Sequence, residues 1–372
     1  MVAQPSPRPV RHTPLESVHR QLGAHFTVFA GWWMPLAYTS ILEEALAVRQ
    51  AAGLFDLSHL GEIEVSGAGD VFFLQRMLTR NLASLRVGRA TYSLMCNEQG
   101  GIVDDLLVYR LPDRYLLVVN AANVQKDLDW LRARAPRGVR ITDVSEQTVI
   151  MAIQGPFSVS ILDPIADVEV AAIKFQGWAA GRVAGERALI ARTGYTGEDG
   201  FELILAPERA ATVWNELLQA GSAWGLKPAG LGARDVLRLE AGFPLYGEDI
   251  DESCNPLEAG LERFVDLAKV FVGQGPLLRI KQRGPARLLV GIEMREQAIP
   301  RHGNQVLSEG RSVGYVTSGV YSPTLNRGIG FAFVSSRLAA RGTSLEVMIR
   351  GRPRQAQVAK VPFVKHTAHG GT

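Results

Sequence analysis

The chain has 372 residues, 47% hydrophobic and 21% charged, the balance of an ordinary folded protein with two or three domains. Its 40 basic and 37 acidic side chains leave a net charge of +3, without the concentrated basic run that tracks a phosphate backbone. Two distant cysteines, Cys96 and Cys254, argue against a disulfide framework or a zinc site, and no apolar run nears the roughly 20 residues that span a bilayer.

Residues 1–12, MVAQPSPRPVRH, have no apolar core of a signal segment and read as a loose head on a cytoplasmic protein. In a eukaryotic source the alternative is the mitochondrial matrix. The first helix is expected over 39–52, where Ser40 and Glu43 form a capping-box pattern and Gly53 stops the run. A second helix is expected from Asp70 to about Leu78, and a third after Asn123 through VQKDLDWLRAR. Strands are expected at EIEV, ATYSLMC, IVDDLLVY and YLLVV, separated by Gly, Pro, Asn and Asp clusters. This pattern describes a mostly antiparallel α+β region.

A second α+β lobe follows Thr148, with strands at VIMAIQG, ALIART and FELILA and helices over PERAATVWNELLQA and ARDVLRLEA. From about Arg287 helical periodicity stops. Short strands then recur at LLVGIEM, VGYVTSG, GIGFAFV, SLEVMIR and AQVAKVPF, which suggests a small barrel or sandwich. The terminal HTAHGGT, within 366–372, is expected to be loose.

Three stretches could carry chemistry. In GGIVDDLLVY the adjacent Asp104 and Asp105 lie inside an apolar strand, so alternation turns at least one of them towards packing. Strict alternation puts Asp105 with Val103, Leu107 and Tyr109, and Asp104 with Ile102, Leu106 and Val108. A carboxylate taken from water needs a partner, a shifted pKa or a purpose. In RTGYTGEDGFEL the acids oppose a phosphate cradle, and the glycines fit a tight hairpin. Glu202 lies just beyond it, on the face opposite Phe201 and Leu203. There it can accept two parallel N–H bonds from a flat heterocycle such as a pterin or guanine. In GLGARDVLRLEAG, Arg234 and Arg238 share a helical face. They read either as a surface salt-bridge ladder or, for Arg234, as a fork offered to a ligand carbonyl or carboxylate. Tyr92, Tyr109 and Tyr195 are core residues on the plain reading, or together could stack and orient a flat ring. His59 and His302 read as packed or surface histidines, since no nucleophile motif accompanies them, and no metal ligands converge.

Laid in order, these pieces resemble the T protein of the glycine cleavage system, a tetrahydrofolate-dependent aminomethyltransferase. The resemblance runs through LGAHFTVFAGWWMPLAY, GLFDLSHLGE, YSLMCNEQGGIVDDLLVY, VVNAANVQKD, RTGYTGEDGFE, GARDVLRLEAGFPLYGEDID, PLEAGLERFV and TSGVYSPTLNRGIGFAFV. It implies an α+β protein of three domains in a ring around a central folate-binding channel, the third a small β-barrel. The expected division is 1–55 with 145–245, then 56–144 with about 246–282, then 283–365. It also implies Asp105 as the catalytic acid, and a folate site formed by Tyr92, Tyr109, Asn120, Tyr195, Glu202, Arg234 and, as a basic C-terminal residue, Lys365. The implied co-substrate is tetrahydrofolate without a metal, and the implied partner is the lipoylated H protein; the free chain is expected to be a monomer that binds neither nucleic acid nor membrane. Asp104 is expected to be a structural partner for backbone or arginine.

This chain departs from the family at Leu60, where relatives often carry Met, a volume-conserving change. It also departs at Asn255, where relatives often carry Thr, and after Glu262, where the change bears on local structure rather than on the folate site. Two alternatives share the ring. One is a folate-dependent demethylase of a methylated small substrate. The other is a non-catalytic folate-binding paralogue, whose Lys-Gly-Cys mark is missing here because Glu252 and Ser253 precede Cys254.

Overall fold

The computed structural model describes residues 9–365 and 367. The C-terminal segment expected to be loose therefore lies, apart from Thr367, outside the described residues, as do residues 1–8 of the expected loose head; Arg11–His12 of that head instead pairs in parallel with Trp32 and Trp33. Four sheets organise the chain: a three-stranded sheet near the start, a six-stranded sheet, a five-stranded sheet and a closed six-stranded barrel. The mixed α+β architecture with a terminal barrel agrees with the sequence reading, and closure decides between barrel and sandwich.

The six-stranded sheet has Gly200–Leu205 and Val149–Gln154 at its middle, with Glu186–Ala191 beside the first and Ala52–Asp56 beside the second. Phe201, Leu203 and Leu205 pack with Trp214 and Leu217 of the helix Ala210–Gly221 in one core. That helix buries one stripe because its apolar residues recur at Val213, Trp214 and Leu217. The five-stranded sheet is antiparallel throughout, with Ile102–Arg110 between Arg89–Cys96 and Tyr115–Val119. The helices Asp70–Met77 and Val124–Arg132 cover one of its faces through Phe73, Leu74, Leu128 and Leu131.

Several expectations need correction. The helix Ile41–Gln50 begins as read, with Ser40 Oγ accepting from the Glu43 amide at 3.2 Å, but Gly53 does not stop it. The helix ends at Gln50, and Gly53 belongs to the next strand, where a Cβ would lie 2.4 Å from Val48 Cγ2. Glycine is needed there for close packing of strand against helix. The hairpin His25–Phe29 with Trp32–Ala37, and the helix Gln274–Arg283, were not foreseen.

The strand Ile102–Arg110 does not alternate strictly. Asp104 pairs with Met95 but Ile102 pairs with Cys96, so Val103 has no partner and forms a bulge. The phase therefore flips. Ile102 packs with Leu94 and Tyr92, on the side of Asp105, while Val103 joins Leu106 and Val108 on the opposite, helix-covered side with Asp104.

Candidate functional site

A cavity of about 1730 Å³ lies among the two large sheets, the barrel and the helix Leu231–Glu240. Its wall includes Tyr92, Asp105, Asn120, Tyr195, Glu202, Arg234 and Lys365. It exceeds an ordinary small-molecule cleft. Two acids from different sheets thus face one space. Tyr109 does not line it: the ring is fully buried, and its hydroxyl donates to Glu202 Oε2 at 3.3 Å from behind.

At the five-stranded sheet, Asp105 is half-buried and held by both oxygens. Tyr92 Oη donates to Oδ2 at 2.9 Å, and Asn120 Nδ2 donates to Oδ1 at 2.8 Å. The same amide nitrogen lies 2.8 Å from Asp104 Oδ1, so its two hydrogens bridge the neighbouring carboxylates. Burial, then the charge of Asp104, pushes the Asp105 carboxyl up to about 7, against the pull of Tyr92 and Asn120. Asp104 is fully buried on the other face and accepts from the Asn120 amide N–H and from Asn123 Nδ2 at 2.6 Å. Backbone and amide donors therefore satisfy it. No arginine does so among the described residues.

At the six-stranded sheet, Glu202 is 6% exposed. Its cross-strand neighbours are Ala152 and Ala191, whose small side chains leave a hollow above the carboxylate. Thr193 Oγ1 donates to Oε2 at 2.5 Å, beside the Tyr109 hydroxyl. Oε1 takes no donor among the described residues and is left for a ligand.

The loop 192–199 that precedes this strand is no tight hairpin. Its polar side chains are buried and turn inward: Gln154 binds Thr193 O and Thr196 Oγ1, and Arg192 pairs with Asp199 at 2.5 Å. A Cβ on Gly194 would fall 2.0 Å from Gln154 Oε1, and Gly197 takes φ +80°, so both glycines are required by the loop. Arg49 binds Glu198 and Glu240 at 2.8 Å each, tying the loop to the helix Leu231–Glu240. Losing this arginine would strand two buried carboxylates.

On that helix the surface-ladder reading fails for Arg238. It is 2% exposed and binds Asp235 at 2.8 Å and Asp249 at 2.5 Å. Asp249 also accepts from Thr317 and Ser318 of the barrel, so this pair joins the units around the cavity. Arg234 has a different position. Its guanidinium lies 4.7 Å from the Tyr195 ring centroid and makes no side-chain hydrogen bond or ion pair among the described residues. Tyr195 is fixed by its hydroxyl on Pro244 O at 2.5 Å and by Phe243, stacked at 5.5 Å. The cavity wall therefore carries an acceptor at Glu202 and a planar donor at Arg234 that is stacked over the Tyr195 ring. Lys365 is exposed and lies at the cavity wall.

Sequence reasoning missed three contributors. His59 lines the cavity with its ring edge against Phe29 at 5.6 Å, and burial, then the charge of Arg234, pushes its pKa down to about 3. The imidazole is neutral there. Phe264 also lines the cavity, with its ring 4.5 Å from Tyr92 in a T-shaped contact, so the unusual segment after Glu262 builds the site itself. Asp127 lies beneath Asp104. Its signal was the spacing of Asn120, Asn123 and Asp127, which brings them to one side of a helix start. Leu60 keeps the wall apolar as expected, and Asn255 Oδ1 caps the amides of Leu257 and Glu258 at 3.1 Å each.

A cavity with two acids on its wall, a guanidinium without an ion-pair partner among the described residues and flanking aromatic rings has the lining that suits a flat, polar small molecule. Residues 15–269 match the GCVT N-terminal domain, and residues 287–365 match the glycine cleavage T-protein C-terminal barrel domain. An aminomethyltransferase of Halothermothrix orenii is 47% identical over 95% of this chain and 100% of its own length. One of Geobacillus kaustophilus is 49% identical over 96% and 99%. The glycine cleavage system aminomethyltransferase T of Bartonella henselae superposes with a TM-score of 0.90, at 34% identity, over 96% of this chain and 99% of that one. The chain belongs to the glycine cleavage T-protein family.

Proposed function

We infer that the protein is a tetrahydrofolate-dependent aminomethyltransferase of glycine cleavage. It takes the methylene carbon from the aminomethyl-lipoyl arm of the H protein, gives it to tetrahydrofolate, and releases ammonia and dihydrolipoyl H protein. The family and the near-complete cover of its relatives support the transferase class. The observation that carries the residue assignment is the pair of acids facing one cavity from two sheets, Asp105 with a pKa near neutrality and Glu202 with an open oxygen.

In this reading the amino-pyrimidine edge of the reduced pterin donates two parallel N–H bonds to Glu202, which Thr193 and Tyr109 hold in place. Arg234 offers its fork to a ligand carbonyl or carboxylate, and Tyr195 provides a face for the ring. Lys365 supplies positive charge at the wall.

In the transfer, the methylene exchanges its bonds to sulfur and nitrogen for bonds to two folate nitrogens. The two hydrogens those nitrogens lose pass to the thiol and to ammonia. Positive charge develops on the carbon as each old bond breaks. The Asp105 carboxylate, fixed at both oxygens by Tyr92 and Asn120, stands ready to stabilise it without rearranging. A pKa of about 7 also lets it take a proton from the attacking nitrogen and return it to a leaving group.

No helix among the described residues is long and apolar enough to cross a membrane. The test is direct: incubate the chain with aminomethyl-lipoyl H protein and tetrahydrofolate, and measure ammonia with methylenetetrahydrofolate. Equal amounts of both are expected. Folate binding without either product would assign the chain to a non-catalytic role.

A further inference from the structure

Beneath the catalytic carboxylate lies a second buried acid that the transfer chemistry does not use. Asp127, on the helix Val124–Arg132, is completely buried, and no group among the described residues donates a hydrogen bond to either of its oxygens. An ionised carboxylate cannot be left this way, since it would be out of water with no donor at all. Asn123, whose carbonyl accepts the Asp127 amide N–H at 2.8 Å, donates its own Nδ2 to Asp104 Oδ1 at 2.6 Å, which brings the Asp104 carboxyl to the side of the helix start that carries Asp127. Asp104 in turn receives N–H bonds from Asn120 and Asn123, as an ionised acceptor should.

We propose that Asp127 is a neutral carboxylic acid that donates its hydrogen to Asp104, and that it is a positioning residue for the charge on Asp105. Two facing carboxyl groups can form one short, directional bond when they share one proton, and repel when they share none. The chain Asp127 to Asp104 to Asn120 to Asp105 then has a fixed sense. Asp127 donates to Asp104, and Asn120 donates to both Asp104 and Asp105. Asp104 keeps the single negative charge of the inner pair, and that charge adds to burial in holding the Asp105 proton affinity near neutrality.

The surroundings fit. Burial, then the charge and hydrogen bond of Asp104, pushes the Asp127 carboxyl up to about 11, and the charge of Asp105 adds to this. An opposing cation is Lys126 on the same helix, whose Nζ is engaged elsewhere. It donates to Val103 O at 2.6 Å and Tyr246 Oη at 2.7 Å and lies 3.6 Å from Glu252. The Val103 bulge makes this carbonyl available by leaving the residue unpaired. Among the described residues no group of three or more His, Cys, Asp or Glu side chains could hold a metal ion at this cluster. A shared proton would relieve it.

The test has two arms. Infrared spectroscopy of the whole protein at about pH 10, where Glu62, raised by burial to about 8, has lost its proton, should show the carbonyl band of a buried protonated carboxyl, and this band should vanish in Asp127→Asn. Absence of such a band from the native protein would overturn the proposal, whether or not the chain is a transferase. The second arm rests on the aminomethyltransferase reading and follows the acid limb of the kcat/KM profile. Asp127→Asn, which restores a neutral donor, should hold that limb within about 0.3 units of the native position, whereas Asp127→Leu should move it by about half a unit or more. A limb shifted downward by a unit in Asp127→Asn would mean that the native residue is charged. A limb unmoved in Asp127→Leu would reduce it to a spacer. Either result defeats the proposal.

Discussion

The two acids that face the cavity come from similar positions, each on a central strand of an antiparallel region, yet their surroundings differ. Glu202 receives two hydroxyls on one oxygen and has alanines as cross-strand neighbours, so its other oxygen is open and its geometry is rigid. Asp105 has both oxygens engaged, and burial with a like charge behind it raises its proton affinity against the pull of those hydrogen bonds. One arrangement suits holding a ligand edge. The other suits a group that must change its interaction with charge or proton during a reaction. In the proposed reading, what stands behind each carboxylate divides the same side-chain chemistry between binding and catalysis.

The sharpest way to test this division is to neutralise each acid. Asp105→Asn should lower carbon transfer by about 10²- to 10³-fold, as loss of a single preorganised electrostatic group does, while folate affinity changes little; single-turnover measurements of ammonia release separate the two. Glu202→Gln should do the reverse, weakening folate binding by about 10- to 100-fold, because a charge-assisted hydrogen bond contributes about 1.5–3 kcal/mol. Equilibrium titration with tetrahydrofolate measures it. Should both variants lose binding and rate together, the division of roles is lost.

A smaller effect is expected for Tyr92→Phe. Removing the hydroxyl that stabilises ionised Asp105 should raise the acid limb of the rate profile above its native position near pH 7, by less than about one unit. The smallest effect concerns stability. Because its folded pKa is raised, Asp105 binds a proton in the folded chain that the unfolded chain has released between the ordinary carboxylate pKa of 3.8 and about 7. Its contribution to stability is therefore present below that window and is lost as pH rises through it. Thermal unfolding should show Asp105→Asn gaining on the native chain as pH passes from about 5 to 8. Activity and stability would then pull in opposite directions at this residue, as they do where a site stores strain.

Much of this was legible in the sequence because it depends on short-range rules. Period and capping marked the helix Ile41–Gln50, and alternating apolar residues marked Gly200–Leu205 and placed Glu202 opposite Phe201 and Leu203. The paired acids announced a site because an apolar strand has no cheap use for them. Alternation holds from Asp104 to Tyr109, and the Val103 bulge moves only Ile102 and Val103, but which face meets the cavity was not readable because it depends on elements distant in the chain. Tyr109 was misplaced for a similar reason: it shares the Asp105 face, but Thr193 and Glu202 close over it. His59 and Phe264 could not be assigned, because what brings them to the cavity is the closing of sheets and barrel on one another. Local pattern carries no information about that closure.

The most direct measurement is a crystal structure of the chain with tetrahydrofolate bound. The account predicts the amino-pyrimidine edge on Glu202 and the reactive nitrogens about 3 Å from Asp105, or one water away. A reduced pterin seated elsewhere, with its reactive nitrogens turned away from Asp105, would contradict it.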